Sequence, residues 1–227
     1  LERVPGVSKS TDSPWGGEVV IRGMSRDSVV FLIDGCRVNV TTDINGRFGL
    51  INPDDVERIE VLKGPVSALY GSGSTGGVVN IITKKGKFFE EAKWSGELAL
   101  GGSTNPGGPD TYGNLSYGGK SAWVFASGGW RDHGDSFDGR DHEIRNSQYE
   151  DGFGKLAAAY KWGAQAVTEA QYQKVVGSEI GIPGTGSAPL PTNADVTLRE
   201  NVRQLLQVKH TIRPEGSILQ ESELMGY

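Results

Sequence analysis

Residues 51–65 read INPDDVERIEVLKGP, and this stretch sets the character of the first part of the chain. Asn52 suits a helix N-cap, Pro53 suits the first helical position, and the two aspartates that follow favour the positive end of a helix. A short helix is therefore expected to begin here. Residues 58–62 then alternate between charged and apolar side chains, which predicts a strand that Gly64-Pro65 ends.

The segments on either side extend this pattern. Upstream, residues 18–22 and 29–33 are predicted strands, and the turn Asp34-Gly35 leads into an extended segment that reaches Val38. Downstream, residues 65–70 are expected to form a helical turn, and the β-branched run at 77–83 predicts another strand. Residues 1–87 are therefore predicted to form one α+β domain.

Residues 88–227 differ from residues 1–87 in their pattern of predicted elements. Here strands are separated by loops rich in glycine and proline. Most of these strands approach the roughly 9–11 residues that a tilted strand needs to cross a bilayer. The gaps between them alternate between long (102–111, 132–152, 177–198) and short, which is typical of an outer-membrane β-barrel. A soluble β-sandwich, whose strands also alternate between apolar and polar side chains, is the competing interpretation. The predicted strands are 93–101, 112–118, 120–131, 153–161, 163–176, 199–213 and 217–227.

Composition excludes several classes of protein. The chain has 227 residues, and no run of 18 apolar residues occurs, so a transmembrane helix is not expected. The single cysteine, Cys36, excludes a disulfide framework within the chain. The net charge is −5 and no basic stripe occurs, so nucleic acid is not an expected partner.

Two features suggest chemistry without establishing it. Residues 71–76 match the G-x-G-x-x-G string, but a helical turn is expected before them and a strand after them, which is the wrong order for a dinucleotide site. His133 and His142 share an acidic segment and could bind haem iron or another metal, although solvated histidines are the commoner case. No arrangement of nucleophile and base stands out, so neither an enzyme nor a resident metal or cofactor is expected.

A series of segments in the first domain carries a family resemblance. In this order they closely resemble the plug domain of TonB-dependent outer-membrane receptors, and the later strands resemble the start of such a receptor's barrel. The segments are VPGV (4–7), IRGM (21–24), LIDGCRVN (32–39), INPDDVERIEVLKGP (51–65), SALYG (67–71) and GGVVNIITK (76–84).

The resemblance implies a plug folded inside a barrel of 22 strands in the bacterial outer membrane. Such receptors bind a scarce nutrient, such as a ferric siderophore, haem or cobalamin, and the protein TonB drives import through an N-terminal box. This chain is expected to be a fragment that lacks the box and carries about seven of the 22 strands. Two alternatives are a plug-like binding or signalling module, used by a partner, bacteriocin or phage without transport, and an enzyme suggested only by the glycine string.

The resemblance also implies roles for individual residues. Plug loops that point at the ligand correspond here to Arg22, Met24, Arg26, Arg37, Asn39, Phe48 and Asn52. The arginines would suit an anionic chelate, because their donors match carboxylates and similar oxygens. A second charged set is expected to form ion pairs between the plug and the barrel, namely Glu57, Arg58, Glu60 and Lys63.

Overall fold

The computed structural model describes residues 4–11, 13–38, 47–183, 195–213 and 222–226. Asn39, one of the predicted ligand contacts, lies outside these residues. The first part of the chain forms a unit with two small sheets, called here the N-terminal unit. Its strands are β1 (Val7–Ser10), β2 (Glu18–Ile21), β3 (Val29–Ile33), β4 (Cys36–Arg37), β5 (Val56–Lys63) and β6 (Gly77–Thr83).

The N-terminal unit is organised around the buried strands β3 and β6. They run parallel at the centre of a four-stranded sheet with the order β4-β3-β6-β5, while β1 and β2 form an antiparallel pair of their own. Apolar residues of β2, β3 and β6 share one core, which includes Ile21, Phe31, Val79 and Ile81. The predicted strands at 18–22, 29–33, 58–62 and 77–83 are confirmed. The predicted turn at Asp34-Gly35 is confirmed too, and the extended segment after it is β4, which pairs back onto β3.

The two predicted helical segments of this unit are confirmed as single turns. Pro53–Asp55 is a 3-10 turn, and the Asn52 side chain caps it by accepting a hydrogen bond of 2.8 Å from the Asp54 N–H. The other, α1 (Ser67–Tyr70), ends at Gly71, whose φ of 78° suits a residue without a Cβ. Within the described residues, no helix is long and apolar enough to cross a membrane.

Seven strands form one antiparallel sheet, called here the long sheet. Its strands follow the order of the chain from one edge to the other, except that a two-stranded hairpin, β10 (Ser136–Phe137) with β11 (Glu143–Ile144), stands outside it. The seven strands are β7 (Lys93–Thr104), β8 (Gly107–Gly118), β9 (Ala122–His133), β12 (Tyr149–Trp162), β13 (Ala166–Ile182), β14 (Val196–Ile212) and β15 (Ser222–Gly226).

The first expected long gap, 102–111, is wrong. Strands β7 and β8 pair up to Thr104 and Gly107, so only Asn105 and Pro106 connect them. The glycines and polar residues of this segment suggested a loop, but a β-ladder needs only backbone groups and accepts them. The segment 134–148 is longer, and it lies at the end of the long sheet where β13 ends and β14 begins, called here the loop end. Residues 184–194, within the third expected gap, lie outside the described residues. The opposite end carries the short turns 119–121 and 163–165, and is called the turn end.

The two faces of the long sheet differ sharply. One face is apolar and exposed, with Leu98 76% exposed, Trp94 65% and Leu206 64%. The other face carries Lys155, Gln173 and Gln207, which are buried against the N-terminal unit. Two aromatic pairs stand near the turn end, with ring centroids 5.0 Å apart in Trp94–Tyr117 and 4.8 Å apart in Tyr160–Trp162. This arrangement fits strands with lipid outside and polar contents inside.

Candidate functional site

The N-terminal unit meets the long sheet around one buried ion pair. Lys155 Nζ lies 3.7 Å from Asp55 Oδ2, and each residue is only 3% exposed. The Lys155 ammonium also donates to Thr83 Oγ1 and to the backbone oxygen of Lys84. Asp55 Oδ1 accepts a hydrogen bond of 2.8 Å from Ser127 of β9. The pair therefore joins the 3-10 turn and β6 to two strands of the long sheet.

The environment of Asp55 opposes its charge. Burial raises the pKa of this carboxyl, while the nearby Lys155 ammonium and the Ser127 hydroxyl act in the opposite direction. A buried charge of this kind is tolerated only when it is paired and hydrogen-bonded. The contact therefore depends on both partners remaining in place.

Asp34 holds a second polar contact, made mainly of amides. Its Oδ2 accepts hydrogen bonds from Gln173 Nε2 at 2.7 Å and Gln171 Nε2 at 3.2 Å, both on β13. The Thr83 hydroxyl donates to the same oxygen at 2.7 Å and the Thr83 N–H to Oδ1 at 2.9 Å. Gln207 of β14 donates to the Asp34 backbone oxygen at 2.9 Å. The left-handed turn at Asp34, with φ of 51°, is what presents these oxygens to the long sheet.

Cys36 lies next to this amide network. Its Sγ is 3.1 Å from Gln207 Nε2, and the residue is buried. Burial, with the nearby Asp34 carboxylate, raises the pKa of the thiol to about 11. The thiol therefore stays protonated at physiological pH and is unreactive.

A third contact lies toward the loop end and centres on Trp15. The indole N–H donates a hydrogen bond of 2.8 Å to Asp151 of β12, and Arg131 of β9 pairs with the same carboxylate. The ring fits closely against Gly49 and Gly177, since a Cβ at either position would stand 2.4 to 2.8 Å from ring atoms. The loop between β1 and β2 and the 3-10 turn Arg47–Leu50 therefore approach the loop end of the long sheet.

The predicted ligand contacts fall in three places. Arg22, Met24 and Arg26 lie beyond the end of β2 that is remote from the Trp15 loop, and Arg22 and Arg26 adopt left-handed backbone angles of 51° and 53°. The Arg37 guanidinium lies near Gly73, so it borders the glycine segment.

The other two described residues of this set, Phe48 and Asn52, pack within the N-terminal unit. Phe48 packs edge-on against Phe31, with ring centroids 5.6 Å apart, and Asn52 is a buried cap. The structure thus does not bring the six described residues of this set together at one surface, and Asn39 lies outside the described residues. Contact of any of them with a ligand stays a prediction.

The predicted plug–barrel charges lie on the edge strand β5. Arg58 pairs with Glu60 at 2.9 Å within the strand, and both side chains are about half exposed. Lys63 donates to the Pro5 backbone oxygen at 3.1 Å. Besides Lys155–Asp55, two ion pairs join the N-terminal unit to the long sheet, and both involve the segment after β6. They are Lys84 with Glu97 and Lys85 with Glu169. Pairing of Glu57, Arg58, Glu60 or Lys63 with barrel strands stays a prediction.

The two loop histidines have separate surroundings. His133 is buried, with Nε2 2.9 Å from Asp110 Oδ1 and its ring stacked on Tyr149. His142 is exposed, and its Nδ1 lies 3.3 Å from Asp138 in the tip of the small hairpin. Backbone N–H groups of His142 and Arg140 lower the pKa of the Asp138 carboxyl. Within the described residues, no group of three or more His, Cys, Asp or Glu side chains could hold a metal ion.

The family of the N-terminal unit follows from a comparison with known families. The model of the TonB-dependent receptor plug domain matches residues 1–78. Residues 1–78 are a TonB-dependent receptor plug domain. The N-terminal unit is accordingly called the plug below. Its relatives include the ferrienterobactin receptor of Escherichia coli, 38% identical over 109 residues, which are 41% of this chain and 15% of that protein. The vitamin B12 transporter of Vibrio vulnificus is 44% identical over 85 residues, or 37% of this chain and 14% of that protein.

Solved structures extend the match beyond the plug. The copper transporter OprC superposes with a TM-score of 0.84 at 19% identity, over 99% of this chain and 34% of its own. The siderophore receptor PirA of Acinetobacter baumannii superposes with a TM-score of 0.70 at 20% identity, over 98% of this chain and 35% of its own. The chain thus has the fold of a plug with barrel strands, and it spans about a third of the length of these receptors.

These comparisons confirm the predicted family resemblance and the predicted fold class of a plug followed by antiparallel barrel strands. The expected outer-membrane location is confirmed as well, and a relative in Vibrio cholerae, 39% identical over 110 residues, is named an iron-regulated outer membrane protein. The family is one of receptors rather than enzymes.

Sequence reasoning missed the residues that join plug and long sheet. Lys155 and Gln173 were recognisable as polar residues within alternating strands, but their partners on the plug are more than 70 residues away in sequence. Trp15 offered a better signal, because a tryptophan between Pro14 and two glycines is unusual in a solvated loop.

Proposed function

We propose that this chain is the plug and first barrel strands of a receptor that binds an iron chelate from outside the cell. In this proposal TonB displaces the plug, and the chelate then passes to the periplasm. One observation carries the proposal. Two of the three buried contacts between the plug and the long sheet are polar, namely an ion pair and an amide network around Asp34. Polar contacts of this kind can be exchanged for water, whereas a large apolar interface favours permanent association.

An anionic iron chelate is the ligand class we favour over haem and cobalamin. Relatives are named as receptors for ferric enterobactin and ferric aerobactin, and one as a vitamin B12 transporter. The proposed contacts Arg22, Arg26 and Arg37 would supply donors for an anionic ligand. Asn39, Met24, Phe48 and Asn52 remain the other proposed contacts of the set.

The remaining assignments follow from the same proposal. The boundary between plug and barrel is placed at residue 87, between the end of β6 at Thr83 and the start of β7 at Lys93. The exposed edge strand β5 is proposed to face other barrel strands through Glu57, Arg58, Glu60 and Lys63. No catalytic role is proposed.

The test is uptake by cells that produce the native protein and lack their own receptors for the probes. The probes are radiolabelled ferric enterobactin, ferric aerobactin and vitamin B12, each measured with and without TonB. We expect uptake of at least one ferric chelate that disappears without TonB. Uptake of vitamin B12 alone would show that the ligand is cobalamin and not an anionic iron chelate. Equal accumulation with and without TonB would contradict the proposal.

A further inference from the structure

The apolar face of the long sheet, which points away from the plug, carries a groove. Its volume is about 900 Å³, which is large enough for a small organic molecule. A second depression of about 520 Å³ adjoins it toward the turn end and shares part of its walls. The two form one elongated groove, called here the outer groove. The exposed side chains common to both parts are Leu115, Leu156 and Tyr172, and Leu98 closes the first part on the side of β7.

The floor of the outer groove is low because three adjacent strands each place a glycine there. Gly113 of β8 pairs with Gly128 of β9, and Gly128 pairs with Gly154 of β12. A Cβ at Gly154 would meet nothing within 4 Å, so packing within the sheet does not require a glycine at this position. Glycine inside a strand weakens the strand. The floor thus leaves open a space that larger apolar side chains could have filled, and a slender apolar chain fits it.

Lys174 of β13 gives the groove a positive charge at its edge, beside Gly154. The side chain is exposed, and among the described residues it forms no ion pair. Between the rung of Trp162 and the rung of Trp130, it is the only Lys, Arg, Asp or Glu that the described strands place on the apolar face. A charge on a lipid-facing surface costs free energy unless it reaches the membrane interface. What Lys174 can bind therefore depends on its depth in the membrane.

The geometry of β12 places Lys174 near the outer boundary of the membrane. Short turns of such barrels face the periplasm, and the exposed Trp162 stands at that end of β12. Eight residues along the strand separate Trp162 from Gly154, the neighbour of Lys174. At about 3.3 Å per residue and a tilt of about 40°, this is about 20 Å along the membrane normal, in an apolar band about 25 Å tall. The long lysine side chain spans the rest, so its ammonium reaches the outer headgroups.

We propose that the outer groove binds an anionic lipid of the outer leaflet, one that carries a phosphate and acyl chains. Lys174 pairs with the phosphate, and one acyl chain lies on the glycine floor. The direction of the groove supports this occupant, because it continues from Lys174 toward the middle of the membrane, as a chain of the outer leaflet does. The occupant is a lipid that stays with the receptor, so the proposal does not depend on which nutrient is imported.

The nearest acidic side chains on this face lie further toward the loop end. Glu150 and Glu200 flank Ser178, which is four residues beyond Lys174 along β13. At about 3.3 Å per residue they stand roughly 13 Å further along the strands, which exceeds a Debye length at physiological salt. They therefore face water beyond the phosphate and do not cancel the charge of Lys174.

The test is photo-cross-linking of the native receptor in phosphatidylcholine vesicles. The probe is phosphatidic acid with a diazirine in one acyl chain, and mass spectrometry identifies the labelled peptides. We expect labelling to concentrate in the peptides that contain residues 113–128 and 152–156. Unlabelled dimyristoyl phosphatidic acid should compete about fivefold better than dimyristoylglycerol, which has the same chains and no phosphate, because one lysine near a membrane surface contributes about that much.

Two variants separate the charge from the groove. Lys174→Gln should abolish the fivefold advantage of phosphatidic acid. Gly154→Leu should lower labelling of the groove peptides severalfold, because its side chain occupies the floor, and it should not lower the melting temperature, because the space is open. Lys120→Gln is the matched control: Lys120 is an exposed lysine at the turn end, so the fivefold preference should remain.

Several outcomes would overturn the proposal. Equal competition by the two lipids in the native receptor would do so, and so would an undiminished preference in Lys174→Gln or labelling spread evenly over the barrel. If a second copy of the receptor covered the groove instead, diluting the receptor in the vesicles would raise labelling, whereas we expect no change. TonB-dependent uptake of a ferric chelate tests the proposed function separately from all of these results.

Discussion

At the scale of single residues, the attachment of the plug depends on Lys155 and Asp55. Each lies almost fully out of water, so removing one partner leaves the other buried and unpaired. Lys155→Met should therefore destabilise the docked plug by about 3–5 kcal/mol, and Asp55→Asn by a similar amount. The double variant should recover much of this loss, because it buries no uncompensated charge. The measurement is a urea titration of the native receptor. Release of the plug is monitored by how readily an added reagent modifies it.

The pair between Lys85 and Glu169 is the matched control for this prediction. It also joins plug and long sheet, at 3.0 Å, but its side chains are 46% and 29% exposed. Ion pairs with this exposure contribute roughly 0–1 kcal/mol, so Lys85→Gln should have little effect. Equal losses in Lys85→Gln and Lys155→Met would contradict the assignment of the buried pair as the main ionic attachment.

Cys36 reports on the same contact through its thiol. Its pKa is raised from 9.0 to about 11, so at pH 8 its thiolate fraction is about a hundredfold below that of an unperturbed cysteine. N-ethylmaleimide should therefore modify Cys36 at least a hundredfold more slowly in the native receptor than in the urea-unfolded chain. Similar rates in both states at pH 8 would show that the plug does not cover this thiol.

The same thiol predicts a dependence of stability on pH. The folded state holds the thiol proton more tightly than the unfolded state does, so this contribution is complete below pH 9 and is lost as the pH rises toward 11. Cys36→Ala should remove that part of the decline in the free energy of unfolding. An identical decline in native and Cys36→Ala receptors would contradict the assigned shift.

At the scale of elements, Trp15 anchors the loop between β1 and β2. Trp15→Ala removes a buried ring and should cost about 3–5 kcal/mol locally, which would release the loop. Trp15→Phe keeps most of the packing, and Arg131 still pairs with Asp151, so the loop should stay largely protected. Proteolytic cleavage within residues 11–17 measures the release. Rapid cleavage in the native receptor, or equal cleavage in both variants, would contradict the anchor.

The long sheet makes a prediction about its two faces. Leu98 lies on the exposed apolar face of β7, whereas Ser95 lies on the opposite face of the same strand. Leu98→Lys should destabilise the strand in the membrane by about 2–4 kcal/mol, and Ser95→Lys by much less. Urea unfolding of the receptor in lipid vesicles compares the two variants. A larger effect of Ser95→Lys would mean that the faces are reversed.

Elements differ in how far sequence predicts them, and the reasons are physical. The β-branched strands at 29–33 and 77–83 were predictable because local propensity and burial agree there. The turn at Asn105 and Pro106 was not, because the glycines around it fit a loop and a paired strand equally well. The contacts of Lys155, Asp34 and Trp15 depend on tertiary placement, which no local pattern records.

At the scale of the whole molecule, the long sheet is open rather than closed into a barrel, and the plug lies against one of its faces. Its edge strands are β7 and β15, and the plug covers its polar face through three separate contacts: around Asp55, around Asp34 and at Trp15. Polar attachment is compatible with a plug that leaves and returns. Import should therefore require these contacts to open, and binding of the ligand from outside the cell should not.

A cross-link between plug and long sheet tests this claim most directly. Gln207 Nε2 lies 3.1 Å from Cys36 Sγ, so Gln207→Cys places a second thiol beside the only cysteine of the chain. The measurement is TonB-dependent uptake of a ferric chelate after oxidation or bridging with dibromobimane, with Cys36→Ala/Gln207→Cys as the control that cannot cross-link. We expect joining the thiols to abolish uptake but not binding, and reduction of the disulfide to restore uptake. Undiminished uptake with the cross-link complete would contradict the account.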